Sequence, residues 1–151
     1  GFRLSSRPST SARRAVIQVL DASVVLKWFV QEAGTEEALA VKDGLLEGKV
    51  VLAAPDLMLY ETANVLRRKK EFTESAIQEA LRSILDVGVE IFTPTEDMLA
   101  EAVHLTFQTG QSFYDCLYLA LAQQLGARFL TADEALYKKS RGFLPATLLP
   151  K

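Results

Sequence analysis

Apolar positions along the chain follow two rhythms. Val16-Ile17-Gln18-Val19-Leu20 is short, β-branched and almost wholly apolar, the pattern of a strand buried on both faces of a parallel sheet. Similar runs recur at Val50-Val51-Leu52, Val89-Glu90-Ile91-Phe92 and Arg128-Phe129-Leu130, with a weaker one from Ala146 to Leu149. Between them, Thr35 to Glu47, Asp56 to Lys70, Thr73 to Val87, Thr95 to Gln108 and Ser112 to Leu125 place apolar residues near the helical period. Pro55-Asp56 reads as a helix cap, and Thr73-Glu74 and Thr95-Glu96-Asp97 put acids in first turns, where they suit the helix dipole. Gly88, Gly110 and Gly126 read as helix stops. Strands that alternate with helices predict an α/β fold, a three-layer α/β/α sandwich around a central, mostly parallel sheet.

No repeat, low-complexity tract or interior linker divides the chain, so residues 15–151 are expected to form one domain. The 151 residues are 49% hydrophobic, enough for one core. Asp21 and Lys27 interrupt the most apolar stretch well short of the roughly 18 residues that cross a bilayer, so a membrane span is not expected. A formal charge of -2 lacks the basic excess of proteins that hold nucleic acid by counterion release, so such a partner would have to meet a local patch. The single Cys116 cannot form an internal disulfide; a buried thiol and a reducing cytoplasm are expected. Residues 1–14 carry four arginines, four serines and no acid, the composition of a transit peptide, but show no apolar face. A disordered tail or cloning remnant is the expectation for them.

Four acids stand at or just past strand ends or in the first turns of helices, where open α/β sheets place their sites. Asp21 ends the first strand among apolar neighbours, where an unpaired carboxylate costs several kcal/mol. It therefore requires a cation or a hydrogen-bonding shell, and a helix N-cap is the structural alternative. Glu61 lies in a helix apolar nearly all round and shares a face with Asn64, three residues on; the alternative is a solvated face. Asp115 follows Ser112 in a capping-box pattern, which alone would explain it. After the fourth strand, Thr131 and Glu134 are expected to form a capping box and leave Asp133 free. Clustered carboxylates repel unless a hard cation binds them, so Asp21, Glu61, Asp115 and Asp133 together point to one or two magnesium or manganese ions. Phosphodiester hydrolysis is the chemistry such ions serve.

At Val19 to Phe29, at Tyr60-Glu61-Thr62-Ala63-Asn64-Val65-Leu66, and at Ser112 to Ala122 leading to Thr131-Ala132-Asp133, the chain resembles the PIN-domain family, most of all its VapC-type toxins. The resemblance spans roughly Val16 to Leu149. It implies a magnesium- or manganese-dependent endoribonuclease, homodimerisation, and neutralisation by a cognate antitoxin protein. It assigns catalysis and metal binding to Asp21, Glu61, Asp115 and Asp133, with Ser23 and Asn64 in support. Cys116 departs from the small residue usual at that place.

His104 is the only histidine and sits on an amphipathic helix, which argues against histidine-based acid/base chemistry. Trp28 and Phe29 are expected in the core, and Arg67-Arg68-Lys69-Lys70 reads as the solvated, dipole-complementing end of a helix rather than a phosphate contact. Two other readings place acids on a similar edge. A receiver-type signalling domain needs an acid pair after the first strand and a lone Asp after the third, but Asp21 adjoins Ala22 and the third strand runs into Thr93-Pro94. A PIN-like module that binds RNA or protein without cleaving is the other.

Overall fold

The computed structural model describes residues 15–151, so the expectation for residues 1–14 lies outside the described residues. Five parallel strands form the central sheet in the order β3-β2-β1-β4-β5. They are β1 (Val16–Leu20), β2 (Val50–Pro55), β3 (Glu90–Phe92), β4 (Arg128–Thr131) and β5 (Ala146–Leu148). β1 is the middle strand, with Val19 beside Ala53 of β2 and Phe129 of β4, which is why its sequence is apolar on both faces.

Among the described residues seven α-helices accompany the strands: α1 (Ala22–Val25), α2 (Thr35–Leu46), α3 (Leu57–Arg67), α4 (Glu74–Val87), α5 (Glu96–Thr109), α6 (Phe113–Leu125) and α7 (Glu134–Ser140). Thr73 and Thr95 cap α4 and α5 through their hydroxyls, which accept from Ala76 N and Met98 N. Gly88, Gly110 and Gly126 end α4, α5 and α6 in the left-handed conformation. Asp56 does not cap α3. Its backbone is already helical, and its carboxylate instead accepts from the Tyr60 hydroxyl.

Helix α6 is the buried heart of the fold. Cys116 to Ala122 are all buried, and the helix packs on β1, β2 and β4. Truncating one fully buried side chain here, such as Leu119→Ala, would cost about 2–5 kcal/mol. Trp28 and Phe29 are half-buried against this core, with the Trp28 indole N–H donating to Ala38 O. β2 runs on past its apolar triplet because Ala53 and Ala54 continue pairing with Glu90 and Ile91. α1, the 3-10 turn Leu26–Trp28 that follows it, and α7 are each too short to show a period in the sequence.

The strand order fixes where a site can lie. From β1 the chain steps outward to β2 and β3, then returns past β1 to β4 and steps outward again to β5. Right-handed crossovers put the connections of these two halves on opposite faces of the sheet. The direction reverses between β1 and β4, so their carboxyl ends flank the crevice where such sheets bind ligands. Asp21 follows β1 directly and Asp133 stands two residues past β4.

Candidate active site

Asp21 is 5% exposed and caps α1, with Ser23 N donating to Oδ1 at 3.1 Å. Two hydroxyls complete its shell. The Ser23 hydroxyl donates to Oδ1, and the Thr131 hydroxyl donates to Oδ2 at 2.7 Å. Each hydroxyl also accepts a backbone N–H from the segment after β4: Ala132 N on Ser23 Oγ at 2.9 Å, Asp133 N on Thr131 Oγ1 at 3.0 Å. A hydroxyl has one proton, and here both protons go to Asp21, an arrangement that suits the ionised carboxylate. Burial nevertheless raises its pKa to about 6; the hydrogen bonds from Ser23 and Thr131 oppose that rise, and the charge of Asp133 adds to it. No ion pair offsets the charge of Asp21 among the described residues.

Glu61 is half-buried, not on a solvated face, because the Tyr118 hydroxyl of α6 donates to Oε1. Tyr118 is 1% exposed and its ring packs 6.3 Å from Phe129. Burial lifts the pKa of Glu61, the Tyr118 hydrogen bond lowers it, and the charge of Asp115 lifts it again. For Tyr118 itself, burial and the Glu61 carboxylate both push the phenol pKa upward, so it remains a donor.

Asp115 occupies the first turn of α6, where its N–H donates to Ser112 Oγ at 3.0 Å. The cap is real, but its carboxylate is also perturbed. Burial raises its pKa, a Ser112 hydrogen bond lowers it, Asp133 raises it and Lys139 lowers it. Asp133 is exposed and caps α7, with Oδ1 accepting from Leu136 N at 3.1 Å. The expected Thr131–Glu134 box is therefore not the cap, since Thr131 is committed to Asp21. Only one oxygen of Asp133 is engaged by the cap.

The charges link the acids in a chain, from Glu61 to Asp115, Asp115 to Asp133, and Asp133 to Asp21. Asn64 is exposed and lines one hollow with Glu61. Among the described residues no group of three acid, His or Cys side chains is close enough to hold a metal ion alone. The donor set is nonetheless all oxygen, it includes a buried carboxylate with no ion pair among the described residues, and magnesium retains several waters in place of protein ligands. Its chemistry fits a hydrated hard cation.

Thr131 and Tyr118 are the residues whose roles were not legible in the sequence. Tyr118 lies three positions past Asp115, on the same side of α6, and that spacing was the available signal. Cys116 is buried and His104 is exposed, as expected, and neither enters the site.

The PIN domain family profile matches residues 18–142, which takes in all four acids. This chain belongs to the PIN-domain family. It is 29% identical to Ribonuclease VapC3 of Pyrobaculum aerophilum over 137 residues, covering 87% of this chain and 98% of that protein. In structure it resembles the toxin–antitoxin complex from Klebsiella pneumoniae at a TM-score of 0.68 and 17% identity, over 89% of this chain and 98% of that one. It also resembles VapC20 of Mycobacterium tuberculosis, a Sarcin-Ricin loop cleaving toxin, at a TM-score of 0.63 and 20% identity, over 79% and 92% of the two chains. PIN membership sets the receiver-type reading aside. No helix among the described residues is long and apolar enough to cross a membrane.

Proposed function

We propose that this PIN domain is a divalent-metal-dependent endoribonuclease, the toxin of a toxin–antitoxin pair. The observation that carries the proposal is Asp21: a buried carboxylate that pairs with no Lys or Arg among the described residues, at the crevice between β1 and β4, with the charge of Asp133 beside it. Asp21, Glu61, Asp115 and Asp133 would hold the ion, in part through water. A bound magnesium or manganese ion supplies an acidified water and offsets charge on the phosphodiester. The chain's own residues prepare that chemistry. Ser23 and Thr131 fix both oxygens of Asp21, so its orientation does not depend on rotamer chance. Tyr118 fixes Glu61 through its hydroxyl, which donates to Oε1.

The relatives favour two partners. Ribonuclease VapC3 supports RNA as substrate, and the toxin–antitoxin complex supports a cognate antitoxin. A homodimer is favoured by an exposed apolar stripe on α5, Leu99, Val103 and Phe107, the last 87% exposed. Light scattering at tens of micromolar should give twice the chain mass, and a monomer would contradict the dimer. Cleavage of a labelled RNA tests the activity: it should appear with magnesium or manganese, vanish in excess EDTA and vanish in Asp21→Asn. RNA binding by the parent without cleavage under any metal would instead favour a silent module.

A further inference from the structure

One exposed strip on α3 plays no part in holding the acids. Tyr60, Asn64, Arg67 and Arg68 follow helical spacing and are all exposed, so they line one side of the helix. Tyr60, 62% exposed, shares an open hollow of about 450 Å³ with Tyr114, 60% exposed, and with Leu57, Glu61 and Asn64. Both rings are held. The Tyr60 hydroxyl donates to Asp56, and Tyr114 meets Phe113 edge-on with centroids 6.4 Å apart. At the far end of the strip, Arg67 and Arg68 form no ion pair among the described residues, nor do Lys69 and Lys70 just beyond.

We propose that this strip is a track for single-stranded RNA, with a base stacked on Tyr60 and Tyr114 beside Glu61 and the phosphate backbone running along α3 to Arg67 and Arg68. The inference rests on the nuclease reading of the acids for its choice of RNA. The chemistry selects the strand state. Aromatic faces take unstacked bases, which a duplex does not offer, while fixed cations take the phosphates. Without a bound cation the acidic rim repels a polyanion, so an anchor that holds RNA in EDTA has to lie to one side, and α3 carries one away from Glu61. The cationic end of α3, expected from the sequence to be a solvated helix end, thereby gains a ligand.

The test is fluorescence anisotropy of a labelled pyrimidine oligoribonucleotide in EDTA, where binding is read without cleavage. Tyr60→Ala and Tyr114→Ala should each weaken binding about tenfold, with the salt dependence unchanged. Tyr60→Phe and Tyr114→Phe, which keep the ring, should bind as the parent does. The pair Arg67→Ala with Arg68→Ala should lower the slope of log affinity against log salt by about 0.7 per arginine. Parental affinity and slope in all these variants would overturn the track, as would a phenylalanine variant as weak as its alanine counterpart. Loss of antitoxin binding in variants that keep full RNA affinity would likewise overturn it, by making the strip a protein surface. A parent that binds RNA through these residues and never cleaves it would leave the track standing and defeat the nuclease reading. A parent that cleaves while the variants bind and cleave unchanged would do the reverse.

Discussion

The two ends of the β1–β4 pair share one backbone pattern and differ almost wholly in side chains. At the amino end, Val16 is 58% exposed, and among the described residues Arg128 reaches only Ala146 O and Thr147 Oγ1, at 3.3 and 3.4 Å. Among the described residues, nothing charged is buried there. At the carboxyl end, Asp21 is buried, two hydroxyls bind it to the segment after β4, and three more acids act along the same rim. Hydrogen-bonding order at that end coexists with electrostatic strain, since each of Asp21, Glu61 and Asp115 has its pKa raised. Of the three, Asp115 alone among the described residues has a cation, Lys139, that opposes the rise. The contrast places the raised carboxylate pKa values at the carboxyl edge, where the proposed cation site lies.

The largest expected contrast between the two ends is in activity. Thr131→Val removes the donor to Asp21 Oδ2 and should lower metal affinity, read from the magnesium dependence of RNA cleavage, by about 10- to 100-fold. Arg128→Ala at the amino end should leave it unchanged. Equal effects at the two ends would erase the distinction.

Next in size is the response to pH. Asp21 binds its proton more tightly in the fold, about 6 against an ordinary 3.8, so the metal-free protein gains stability from this group below about pH 4 and loses it as pH rises through about 6. The loss by pH 7 is on the order of 3 kcal/mol. Denaturant unfolding in EDTA should show this slope in the parent and a flatter one in Asp21→Asn. Asp115→Asn should melt higher than the parent in EDTA, because it removes a charge held against burial and Asp133, and it should gain less from added magnesium. A lower melting point with unchanged cleavage would leave Asp115 as a cap alone.

Tyr118→Phe is smaller. It removes one hydrogen bond, worth about 1 kcal/mol of stability, and should raise the Glu61 pKa further, moving the acid limb of the cleavage profile to higher pH. Val16→Thr at the amino end should change stability within about 0.5 kcal/mol, the ordinary scale for surface positions.

Much of this organisation was visible in the sequence, and the parts that were not have a common cause. The strands and long helices carried their own periodicity, and Asp21, Asp115 and Asp133 were marked by their places at element ends, while Glu61 was marked by its place in an otherwise apolar stretch of α3. α1 and α7 were too short for a period, and Asp56 looked like a cap until its partner, Tyr60, was known. The Thr131–Asp21 and Tyr118–Glu61 bonds join residues 110 and 57 positions apart, so local pattern could not reveal them. The capping box expected at Thr131 failed for that reason: a local rule yielded to a long-range partner.

Manganese binding tests the carboxylate rim most directly, because it needs neither RNA nor turnover. Free Mn2+ can be followed by its electron paramagnetic resonance signal as protein is added. The parent should deplete that signal saturably, while Asp21→Asn, folded by circular dichroism, should leave it largely intact. Equal depletion by both proteins, or none by the parent at millimolar metal, would contradict a cation site built on Asp21.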